Sequence, residues 1–104
     1  LDPEFSHQYL QFLGMAHQLV GHYETAVLMF RERIQLVSNT DIGRAWLASA
    51  LGHLDRVEEA QAVWADLMRI NPDFLIESRI TNLAFVNAAD GDNVREGLAR
   101  ADLP

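Results

Sequence analysis

Shifted on itself by 34 residues, the chain superimposes Leu13 on Leu47, Gly14 on Ala48, Ala16 on Ala50, Val20 on Leu54, Tyr23 on Val57, Ala26 on Ala60, Phe30 on Trp64, Ile34 on Met68 and Leu36 on Ile70. A phase held over that many positions implies a repeated supersecondary unit that must stack on its neighbours to bury its apolar face. Within each unit the apolar residues fall at helical spacing, as in Leu47, Ala50, Leu51 and Leu54, then Ala60, Val63, Trp64 and Leu67. Each unit is therefore expected to be a pair of helices, near 7–20 and 23–37, then 41–54 and 56–70. Val20-Gly21-His22 breaks the first pair and Asp55-Arg56-Val57-Glu58 the second, with Asp55 placed to cap and Glu58 at the capping-box position. Asn71-Pro72-Asp73 closes the second unit, because proline cannot continue a helical hydrogen-bond ladder.

Small residues at Gly14, Ala48, Ala26 and Ala60 allow two helices to approach closely, and Phe30 and Trp64 are placed to fill the space between successive hairpins. Beyond residue 73 the phase continues without the motif. Val94, Leu98 and Ala101 form an i, i+4, i+7 stripe under Ala60, Trp64 and Leu67, whereas Thr81 and Asn82 occupy the positions of the Leu-small pair. This segment reads as a degenerate capping hairpin, with helices near 74–86 and 88–101 and Asn87 or Asp90 as the cap. Leu1-Asp2-Pro3-Glu4-Phe5 can be encoded by CTG GAT CCG GAA TTC, which holds two common cloning sites, and reads as a vector-derived tag. The expected organisation is residues 1–5 as tag and 6–104 as a single domain. That domain would comprise repeats at about 7–40 and 41–74 and a cap at 75–104, as a fragment of a longer bacterial protein.

Composition narrows the chemistry. The 104 residues carry 15 Asp plus Glu against 8 basic residues, all Arg, for a net charge of -7. An acidic face does not bind phosphate backbones, so no nucleic-acid partner is expected. The absence of Lys removes a Walker-type phosphate cradle, Schiff-base chemistry and Ser/Lys hydrolysis. The absence of Cys removes disulfides, thiol nucleophiles and Cys-type zinc sites, and fits a reducing, cytoplasmic setting. No apolar run has the length of a membrane span, so no membrane partner is expected.

Candidate catalytic and metal-binding groups have simpler readings. His7, His17, His22 and His53 form no H-x-x-x-H or H-E-x-x-H pair on one helix face. Asp90-Gly91-Asp92-Asn93 begins like a calcium loop, but Val94 follows and no Glu closes it. Ser49 lies in Ala-Ser-Ala, not in a nucleophile elbow. No catalytic residue, metal site or cofactor is assigned. Trp64 reads as core, whereas Trp46 sits off the core stripe and reads as a groove contact.

Leu47-Ala48, Leu51, Ala60, Trp64 and Asn71-Pro72, with Leu13-Gly14, Gly21, Tyr23, Ala26 and Phe30, resemble the tetratricopeptide repeat. His17, Arg33 and Ser38 depart from its usual apolar, small and Pro residues. The resemblance implies an all-α, right-handed superhelix of about three antiparallel hairpins. It also implies a concave groove lined by the first helix of each pair. Carried over residue by residue, that groove comprises Gln8, Gln11, Phe12, Met15, Gln18 and Leu19 from the first repeat and Ile42, Ala45, Trp46, Ser49 and His53 from the second. With no Lys or Arg at these positions, the resemblance does not extend to members that clamp a chaperone's terminal carboxylate. The groove instead suits a protein or peptide segment, another domain of the same polypeptide, or a second copy meeting Tyr9, Phe12 or Leu13. Asn71-Pro72-Asp73-Phe74, Phe85-Val86-Asn87-Ala88-Ala89-Asp90 and Glu96 to Pro104 are similar to the closing segment of tetratricopeptide modules fused behind bacterial class III adenylate or guanylate cyclases, although Asp102 stands where Gly is common. The expected role is a non-catalytic protein–protein interaction module, regulatory or dimerising. The rival is a small all-helical enzyme with a cryptic His/acid site, which requires His17, His22 and His53 to converge with acids.

Overall fold

The computed structural model describes residues 3–81 and 87–104. Among them the chain is all-helical: α1 (Pro3–Leu19), α2 (Tyr23–Leu36), α3 (Asp41–His53), α4 (Val57–Ile70), α5 (Ile76–Thr81) and α6 (Ala88–Arg100). α1 packs on α2 and α3 on α4 as hairpins, α2 lies against α3, and α6 lies along α3. The first helix starts at Pro3, four residues before the expected start at residue 7, inside the segment read as a tag. Proline suits that position because its fixed φ is helical and the N–H it lacks would have no partner in the first turn. The expected helix near 74–86 begins at Ile76, because Asn71 first holds a turn, accepting from the Asp73 N–H on its side chain and from the Phe74 N–H on its carbonyl. The rest of that expectation, including Asn82, Phe85 and Val86, lies outside the described residues.

The 34-residue phase is written into the backbone. The residues before α2 and α4, His22 and Arg56, have φ/ψ of -87/65° and -90/65°. Those after them, Val37 and Asn71, have -131/87° and -144/85°. The His22 N–H donates to the His17 carbonyl at 2.8 Å, and the Arg56 N–H to the Leu51 carbonyl at 2.9 Å. Gly21 and Asp55, one phase apart, both take the left-handed conformation, with φ of 89° and 60°. Asp55 therefore terminates α3 and does not cap α4, which has no side-chain cap. A left-handed residue at that position reverses the chain, and Asp tolerates the conformation better than most residues with a Cβ.

Ala26, Phe30, Leu47, Ala48, Ala60, Leu67, Val94, Leu98 and Ala101 form the core as their spacing implied, and Trp64 is buried with them. Phe30 lies on Gly14, where a Cβ would come within 2.5 Å of the ring, and its centroid is 6.2 Å from that of Trp46 on α3. Trp64 makes the corresponding reach towards the next element, edge-on to Phe74 at 6.1 Å.

α6 departs from the phase. Its stripe aligns in sequence with α4, a second helix, yet its end matches α1 and α3. Asp102 has φ 57°, and the Leu103 N–H donates to the Leu98 carbonyl at 2.9 Å. Ser49 bonds to Val94 and Asp55 pairs with Arg100, both across 45 residues, and Gly52 meets Gly97 at the same offset. Contacts that advance together mean that α6 runs parallel to α3. The stripe identified the buried face of α6 but carried no information about its direction.

Candidate functional site

The inward face of α1 and α3, where the eleven groove residues were expected, divides into two halves. At the C-terminal half α6 is seated against it. Gln18, fully buried, donates from Nε2 to Ser49 Oγ at 3.0 Å and to Asn93 Oδ1 at 3.3 Å. Ser49 Oγ donates to the Val94 carbonyl at 2.8 Å. His53 Nε2 lies 2.7 Å from the Asn93 carbonyl, so that nitrogen carries the proton. Asn93 Nδ2 donates to Tyr23 Oη at 3.2 Å, and the Tyr23 ring stacks on His53 with centroids 4.3 Å apart. The approach is close enough that a Cβ on Gly52 would collide with the Gly97 carbonyl. Gln18, Ser49 and His53 thus hold a helix of the chain itself.

Ala45 and Trp46 are not groove contacts. Both are fully buried, and Trp46 is the largest fully buried side chain among the described residues. The expectation failed for a physical reason: α3 is enclosed by α2, α4 and α6, so its buried residues run continuously from Ala45 to Gly52 and no single stripe marks its core face. Among the described residues the Trp46 indole N–H has no acceptor. Leu19 is half-buried against the core.

At the N-terminal half the face is open among the described residues. Gln8, Gln11, Phe12, Met15 and Ile42, all nominated from sequence, line a cavity of about 410 Å³ together with Arg33 and Arg79. The two arginines were not foreseen as part of it. Arg33 reaches in from α2, at the position that the 34-residue phase equates with the buried Leu67. A cation at a core position of a repeat was the signal available in the sequence. Long cationic side chains can line a cavity with their stems while the charged group hydrogen-bonds. Arg33 Nη1 donates to Gln11 Oε1 at 3.0 Å and to Thr40 Oγ1 at 2.5 Å. Thr40 also caps α3, accepting the Gly43 N–H at 3.1 Å. Burial pushes the Arg33 guanidinium down from its ordinary value, against the favourable charge of Asp41.

Asp41 joins the neighbouring network. It accepts from Arg79 Nη2 at 2.5 Å, Asn71 Nδ2 at 3.1 Å and the Ile42 N–H at 2.6 Å. Burial works against its ionisation, but these hydrogen bonds and the Arg79 charge together hold its carboxyl below the usual range. Arg79 also lies over the Phe74 ring, 5.1 Å from its centroid.

His17, His22 and His53 separate into two places. His17 and His22 meet, Nδ1 to Nδ1 at 3.3 Å, while His53 lies in the α6 contact with Tyr23. Among the described residues no three His, Asp or Glu side chains come together as a metal would require. Asp90 belongs to the capping box of α6, in which Asn87 Oδ1 accepts the Asp90 N–H at 3.0 Å and Asp90 Oδ2 accepts the Asn87 N–H at 3.2 Å. Ser49 faces Gln18 and Val94, with no histidine or carboxylate among its hydrogen-bond partners. Among the described residues no helix is long and apolar enough to cross a membrane. No family model, curated protein or solved structure matches the chain.

Proposed function

We propose that the chain is a non-catalytic interaction module, a tetratricopeptide-like scaffold whose partner is a protein or peptide segment, another domain of the same polypeptide or a second copy. The observation that carries this reading is the 34-residue recurrence of backbone conformation and turn hydrogen bonding at the ends of the first two hairpins. A repeat conserved in geometry supports a surface role, since stacked repeats present extended binding faces. The narrower reading, a regulatory or dimerising element linked to a bacterial nucleotide cyclase, rests on the resemblance of the segments from Asn71 to Pro104.

Tyr9 and Phe12 on α1 are 55% and 54% exposed and place aromatic surface beside the open half of the face. Self-association through this face is expected to raise the mass above 11.7 kDa in sedimentation. The rise should appear between about 10 μM and about 1 mM, the range of weak interfaces. The pair Tyr9→Glu and Phe12→Glu is expected to restore the monomer. A strict monomer throughout that range contradicts a second copy as partner. The cyclase connection is tested in a polypeptide joining this chain to a cyclase domain. Deleting the chain should change the cyclisation rate, and an unchanged rate and oligomeric state would contradict that connection.

A further inference from the structure

We propose that the cavity between α1, α2, α3 and α5 binds a small carboxylic acid as its carboxylate, with the apolar body of the acid against Met15 and Ile42. The inference does not depend on the interaction-module reading. It starts from a guanidinium whose nearest charge, Asp41, is shared. Arg33 is half-buried, and the hydrogen bonds of its Nη1 go to two neutral oxygens, Gln11 Oε1 and Thr40 Oγ1. The nearby Asp41 carboxylate is already engaged by Arg79 and Asn71. In a chain with a net charge of -7, this corner places two guanidinium groups around one cavity.

Unused donors point the same way. Gln11 is only 7% exposed. Because its Oε1 accepts from Arg33, the orientation of its amide is fixed, and its Nε2 is left without a partner. Arg33 Nε is likewise buried without an acceptor. Two guanidinium groups at one cavity, with buried unmet donors behind one of them, favour an anionic occupant, and a planar guanidinium matches a carboxylate in two-point geometry. The remaining lining selects within anions. Phe12, Met15 and Ile42 are apolar, which disfavours a fully hydrated dianion such as phosphate and favours a monoanion with a hydrocarbon body. A volume of about 410 Å³ falls within the range of small-molecule sites.

The test is a nitrogen-15 NMR titration of the full chain with octanoate, with octanol, acetate and inorganic phosphate as comparisons. Octanoate is expected to shift the Gln11 side-chain amide and the Arg33 Nε–H saturably and to raise the melting temperature. Octanol, acetate and phosphate are each expected to bind at least about tenfold more weakly. Arg33→Met, which keeps an aliphatic stem, should remove the preference for the acid over the alcohol. Ile42→Trp, which fills the cavity, should abolish binding. If Arg33→Met fails to fold, the acid-to-alcohol ratio in the unsubstituted chain still decides. Absence of saturable shifts, equal binding of octanol and octanoate, or shifts confined to residues outside the cavity would overturn the proposal.

Discussion

Gly21, Asp55 and Asp102 occupy equivalent left-handed positions at the ends of α1, α3 and α6, and only the first has no Cβ to accommodate. Asp102→Gly is therefore expected to stabilise the fold by about 0.5–1 kcal/mol, and Gly21→Ala to destabilise it by about 1 kcal/mol, both read from urea midpoints. No gain from Asp102→Gly, or no loss from Gly21→Ala, would mean that these ends are not equivalent. Trp46 presents a different case, in which a large apolar volume is enclosed together with an indole N–H that finds no acceptor among the described residues. Trp46→Ala should cost about 3–5 kcal/mol through the cavity it leaves, whereas Trp46→Phe, which also removes the unmet donor, should cost clearly less. A Phe variant as unstable as the Ala variant would show that the indole is bonded in solution.

At the scale of the helix, ends and caps can be tested separately from packing. Asn87→Ala removes the side-chain acceptor of the α6 capping box and should cost about 1 kcal/mol. Asp41, at the first turn of α3, ties that helix to Asn71 and Arg79, and its folded pKa lies below the ordinary value. For a carboxyl depressed in the folded state, the added stability is fully present above its unfolded pKa and is lost as pH falls through the folded one. Stability should therefore decline below about pH 4, and Asp41→Asn should flatten that decline in denaturation midpoints measured across the acid range. An unchanged acid slope would remove Asp41 from the account. Element boundaries were largely legible: α2, α3 and α4 begin and end within a residue of their expected limits, because Gly21 and Pro72 punctuate a helical period. The start of α1 and the role of Asp55 were not, since a proline opens a helix as readily as it ends one and Asp serves both as a cap and as a left-handed terminus.

For the whole molecule, packing of α6 along α3 turns a stack of hairpins into a closed body. Its radius of gyration is 12.4 Å, near the roughly 13 Å of a compact chain of this length. The groove read from sequence was therefore half legible. Gln8, Gln11, Phe12, Met15 and Ile42, placed in the groove by the resemblance to the tetratricopeptide repeat, do share a cavity. Gln18, Ser49 and His53 face inward too, but against α6, and periodicity cannot say which helix covers a face or in which direction it runs. The account at this scale stands on the parallel placement of α6, and NMR cross-relaxation between assigned protons tests it most directly. Cross-peaks are predicted between Gly52 Hα and Gly97 Hα and between Ser49 Hβ and Val94. Their absence, with α6 showing cross-peaks in antiparallel order along α3 or none to it at all, would contradict the account.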